Sequence, residues 1–151
     1  MKLIAIDPGP TESAFVEYER DAPVNFGKIP NKQLLNFLRE LHGGFDWVAC
    51  EQVRSYGMAV GAEVFDTVEW SGRFHEASLQ SGIEWLYVPR IKVKIHLCKT
   101  AKAKDGNIRQ ALIDRFGEKG TKKAPGVLYG FKADAWQALA LAVTVADGGA
   151  A

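Results

Sequence analysis

Apolar positions along the first fifty residues come mostly in short runs closed by turn residues, the pattern of strands rather than helices. Leu3, Ile4, Ala5 and Ile6 form an unbroken run ended by Asp7-Pro8-Gly9. A run without polar alternation suits a strand buried on both faces, and Pro-Gly turns the chain sharply after it. Residues 14–18 and 24–29 predict two further strands, with a turn at Asp21-Ala22-Pro23, so the first three strands should form an antiparallel meander. Asn31 is a candidate N-cap for a helix in which Leu34, Leu35, Leu38 and Leu41 recur at helical spacing, stopped by Gly43-Gly44.

The first pattern then recurs. Residues 45–50 read as a strand that delivers Glu51 at its end. If the two strands pair in parallel across the intervening helix, Asp7 and Glu51 lie side by side at their carboxyl ends, where open α/β sheets place their sites. Two acids brought together there repel unless a cation sits between them. Asp7 as a simple turn cap is the bland alternative, and the second acid-ended strand shifts the balance to a metal site. Residues 52–58 form a loop. A helix over 59–79 carries Gly61, Phe65, Val68 and Gly72 on one face, suited to close packing against a neighbouring helix or subunit. A strand over 83–88, a short helix near 92–97, a flexible turn over 99–106, a helix over 107–116 and a mobile Gly- and Lys-rich loop over 117–130 follow. The helix predicted over 132–147 is apolar nearly all round and should lie buried across the sheet, with Asp134 in its first turn, where the helix dipole favours an acid. Strands and helices together read as an α/β chain, and its 151 residues fit one domain.

Composition adds two points. The chain is 47% hydrophobic and 25% charged, an ordinary globule. It holds no apolar stretch of the roughly 18 residues a bilayer demands and no signal-peptide pattern, so a cytoplasmic location is expected. Net charge is only +1, yet 11 Lys/Arg against three acids fall between Arg90 and Lys123, while the remainder holds 8 against 15. Such segregation makes a basic face that can follow a phosphate backbone, although a charge run is more often only a solvated surface. Cys50 and Cys98 lack a metal-binding or disulfide spacing.

The I-D-P-G at 6–9, the E-Q-V at 51–53 and the A-D-A-x-x-A-L-A-x-A at 133–142 together resemble the RuvC-type Holliday-junction resolvases of the RNase H-like superfamily, in the shorter spacing of compact phage versions. The resemblance implies an RNase H-like α/β fold, a five-stranded mixed sheet with three antiparallel and two parallel strands flanked by helices, and a homodimer that nicks opposed strands of branched, four-way DNA with Mg2+ or Mn2+. Asp7, Glu51 and Asp134 would be the catalytic, metal-holding acids, Asp7 bridging two ions and the others holding one each. The family's fourth acid or histidine falls at Gln137, or near Phe131 if Asp134 is matched to the family's last acid. Arg54 and Tyr56 would contact the junction's exchange point, and Arg90, Lys92, Lys94, Lys99, Lys102 and Lys104 its phosphates. Three other readings compete. The 6–11 segment suits the phosphate loop of actin-like ATPases, which require two lobes. A branched-DNA-binding protein with weak or lost catalysis would accommodate the missing acid, and another RNase H-like nuclease would share the same carboxylates.

Overall fold

Leu3, Ile4, Ala5 and Ile6 are wholly buried, and the strand they build is the centre of the molecule. The computed structural model describes residues 1–151. Strands β1 (Lys2–Asp7), β2 (Glu12–Glu19) and β3 (Ala22–Pro30) form the antiparallel meander, and β4 (Trp47–Gln52) and β5 (Glu84–Pro89) pair in parallel on the other side of β1. The order across the sheet is β3-β2-β1-β4-β5, the five-stranded mixed sheet expected. Helices α1 (Asn31–Glu40) and α2 (Ala62–Gln80) are the crossovers into β4 and β5, and together with Ile4, Ile6, Val48 and Cys50 they bury one face. On the other face, α3 (Arg90–Cys98), α4 (Asp105–Phe116) and α5 (Ala135–Ala146) pack over Leu3, Ala5, Ala14, Val16, Ala49 and Val88. No helix is long and apolar enough to cross a membrane.

Several local expectations change. The first hairpin turns on Arg20 and Asp21, both at positive φ (53° and 58°), leaving Ala22 and Pro23 already in β3. Helix α1 ends at Glu40, before the Gly43-Gly44 pair, because Leu41 is already extended. β4 runs two residues later than its apolar run suggests, so Glu51 is a strand residue and not a loop residue. α2 begins after Gly61, which leaves that glycine at the cap. Phe65 and Val68 are exposed, and Gly72 has open space where a side chain would go. The intramolecular partner for that face does not exist. The 117–130 segment is anchored rather than free: Gly120 bridges to Pro125, Lys119 Nζ donates to the Phe131 carbonyl at 2.7 Å, and Leu128 and Phe131 are wholly buried. Phe131 stacks on Phe26 with ring centroids 3.8 Å apart, a hydrophobic anchor that a count of Gly and Lys does not reveal.

Candidate active site

Side-chain parity puts the acids on one face. Asp7 shares the parity of Leu3 and Ala5, and Glu51 that of Ala49, so both acids point to the face that α5 covers. Ile6 is in register with Cys50, and the next residues along the two parallel strands are Asp7 and Glu51. The two carboxyl groups are close enough for each to act on the other's charge, and the Asp7 proton is the one held more tightly. Burial first, then the Glu51 charge, pushes the Asp7 carboxyl up to about 8. Arg90, the first residue of α3, partly relieves this. Its guanidinium stands 3.6 Å from Glu51 and is held from behind by Asp105 at the start of α4.

The turn that carries Asp7 is locked by a ring of buried polar contacts. The Gly9 amide donates to Ser13 Oγ at 3.1 Å, Ser13 Oγ donates to Asn31 Oδ1 at 2.5 Å, and Asn31 Nδ2 donates to the Gly9 carbonyl at 2.8 Å. Asn31 is therefore not the expected cap: Pro30 takes the cap position and Asn31 is the first helical residue, its side chain turned into the ring. A Cβ at Gly9 would collide with the Glu12 carbonyl oxygen. Gly9→Ala should accordingly cost about 1–3 kcal/mol of stability, the usual range for overpacking. The check is urea unfolding, and an unchanged midpoint would show that the turn yields without cost.

Asp134 stands at the N-cap of α5, one residue outside the helix proper, and its Oδ2 accepts from Lys28 Nζ at 2.7 Å. The residue before it, Ala133, is held at φ 48°, a strained turn into the helix. Asp7, Glu51 and Asp134 line one cleft of about 650 Å3, together with Gly9, Arg54, Tyr56, Glu63, Arg90 and Lys94. The three acids thus share a cleft, yet no three carboxylates close around a single point. Two partly buried carboxyl groups side by side at the ends of parallel strands are a donor set that a hard divalent ion fits, since the ion displaces the Asp7 proton and cancels the repulsion.

No family model matches the sequence. No curated protein matches it either. Solved structures do, among them Thermus thermophilus RuvC, with a TM-score of 0.70 at 18% identity over 99% of this chain and 98% of that one, and T. thermophilus RuvC in complex with a Holliday junction substrate, with a TM-score of 0.76 at 20% identity over 97% and 93%. The chain has the RuvC fold. The agreement spans essentially the entire length of both proteins, at an identity too low to carry roles over residue by residue.

Within this RuvC fold the expected basic residues separate by helical geometry. Arg90 and Lys94, four apart on α3, face the cleft, as do Arg54 and Tyr56 from the loop after β4. Tyr56 is two-thirds exposed and sits at φ 52°. Lys92 lies on the opposite side of α3 and donates to the carbonyls of Ala150 and Ala151 at 3.0 and 3.3 Å, so it braces the C-terminus. Lys99 closes the same helix in the left-handed conformation and bonds the His96 carbonyl. Lys104 caps α4, and Lys102 is exposed in the loop between the helices. Gln137 is half-buried and is not part of the cleft wall, and Phe131 is core. Sequence reading missed Lys28, Glu63 and the Ser13-Asn31 brace. None carries a local signal, because each acts through partners distant in the chain.

Proposed function

We propose that this protein is a divalent-metal-dependent endonuclease that cleaves four-way DNA junctions. The observation that carries the reading is the Asp7–Glu51 pair, two acids side by side at the carboxyl ends of parallel strands. They form the floor of a cleft with cationic side chains on its walls, in a fold shared with a protein solved on a Holliday junction substrate. Asp7 and Glu51 would hold Mg2+ or Mn2+ at that floor, with Asp134 completing the acidic rim. The ion, when bound, supplies Lewis acidity and a more acidic water. The chain's own residues do the rest: Arg90 fixes the Glu51 carboxylate, and Lys94 and Arg54 meet the phosphates that flank the cleaved one. Tyr56 offers a free ring on which a base at the branch point stacks, worth about 1–3 kcal/mol.

Cutting two opposed strands requires two such clefts. The exposed Phe65 and Val68 beside Gly72 on α2, with no covering element in this chain, support a homodimer through that helix. The test is a labelled four-way junction and a linear duplex of the same sequence, incubated with Mg2+, Mn2+ or EDTA. Paired nicks on the junction alone, absent in EDTA, are the expected result. Junction binding without cutting in any metal would instead identify a structure-selective DNA-binding protein, a reading that the uncharged Gln137 favours.

A further inference from the structure

We infer that this site takes one divalent ion per chain, between Asp7 and Glu51, and that the Lys28 ammonium stands where a second ion would sit. The inference rests on reading the cleft as a nuclease site and changes what that site contains. Its basis is a row across the sheet. Asp7 is paired with Ala14, and Ala14 is paired with Lys28. Directly paired residues point to the same face, so Lys28, Ala14, Asp7 and Glu51 form one line over four strands on the α5 side. In register, Ala14 is the one residue between Lys28 and Asp7. Two strand spacings amount to about 10 Å between backbones, and a lysine stem spans more than half of that.

The ammonium lands on Asp134 at 2.7 Å, the acid that would otherwise serve a second ion. The remaining donors for such an ion are poor. Gln137, one turn further along α5, has no charge and lies outside the cleft wall, and Glu63 stands on the α2 side without forming a three-acid group with any other pair. A hard ion would have to displace Lys28 from a carboxylate and then rely on that single carboxylate and a share of Asp7. The Asp7–Glu51 pair, by contrast, gains from an ion what it now lacks. Lys28 therefore neutralises, from outside the cleft wall, the one cleft carboxylate that a second ion would need.

The experiment counts ions on the metal-free, full-length protein, by electron paramagnetic resonance of free Mn2+ and by calorimetric titration. Wild type should bind one Mn2+ per chain, and Glu51→Gln should weaken it at least tenfold. Lys28→Gln should admit a second ion, at least tenfold weaker than the first. Lys28→Arg, and Lys28→Gln combined with Asp134→Asn, should return the count to one. Two ions on wild type, or a single ion on Lys28→Gln at millimolar Mn2+, would overturn the inference. Lys28 is exposed at the sheet edge, so these variants should fold, and circular dichroism checks that they do. Junction cleavage is measured on the same samples: its absence counts against the nuclease reading, while the ion count decides this one by itself.

Discussion

Asp7→Asn and Glu51→Gln should each lower junction cleavage by about 10^3-fold or more, the scale expected when one member of a cooperating catalytic group is removed. Both changes are isosteric and replace an ionisable carboxyl by a neutral amide, so the packing around the strand ends can be kept in either variant. What each loses is half of the anionic floor that would hold the ion. Junction binding should stay within about threefold of wild type, since affinity for DNA comes chiefly from cations meeting phosphates, and removing an acid from the cleft lessens repulsion. The measurement pairs single-turnover cleavage with a mobility-shift titration at one salt concentration. Cleavage surviving in both variants would move the chemistry away from these strand ends. Binding lost together with cleavage would mean that the acids support the fold of the cleft rather than its chemistry.

Without metal, Asp7→Asn should make the protein more stable, and increasingly so as pH rises. The Asp7 carboxyl is raised from 3.8 to about 8, chiefly by burial and then by the Glu51 charge. Between those values the folded chain keeps a proton that the unfolded chain has lost. Stability therefore falls as pH climbs from about 4 through about 8, because the unfolded state binds fewer protons over that window. The penalty is absent below the unfolded value and complete above the folded one. A shift of this size corresponds to about 2–4 kcal/mol after allowance for the open side of the cleft. For a chain of this length that is roughly 4–16 °C in Tm. Calorimetry in EDTA at pH 4.5 and pH 8.5 should show the variant and wild type close together at the lower pH and separated at the higher. Parallel behaviour at both would show that Asp7 is not strained by its surroundings. Millimolar Mn2+ should raise the Tm of wild type at pH 8.5 and leave that of Asp7→Asn nearly unchanged, since a ligand stabilises only the state that binds it.

These two predictions draw on the same fact, that the acid pair is unfavourable by itself. A lone Asp at a strand end costs little when water reaches it. Here Asp7 is paired with Glu51, screened by the sheet and α5, and offset only by Arg90, whose guanidinium is shared with Asp105. Sites held in this uncompensated condition are where a cation or a substrate supplies the missing charge.

The order of elements, the central both-face-buried strand, the antiparallel meander and the convergence of Asp7 with Glu51 were all legible in the linear chain, while the mixed five-stranded sheet came from the family resemblance. The reason is that they depend on periodicity and on turn residues a few positions apart: Leu3 to Ile6 run unbroken into Pro8-Gly9, and the leucines of α1 repeat on one face. What the chain could not show is every contact set by register or by helical phase. The β2–β3 pairing puts Lys28 in line with Asp7, and no property of Lys28 itself announces this. The rotation of α3 divides one basic run, sending Arg90 and Lys94 to the cleft and Lys92 to the C-terminal carbonyls. Asn31 looked like a cap and instead closes a ring around Gly9, because Pro30 holds the cap position and the buried turn needs its amide. Local sequence determines which segments become strands and helices, while the neighbours of a charge are fixed only when segments tens of residues apart pack together, and in this cleft those neighbours decide the chemistry.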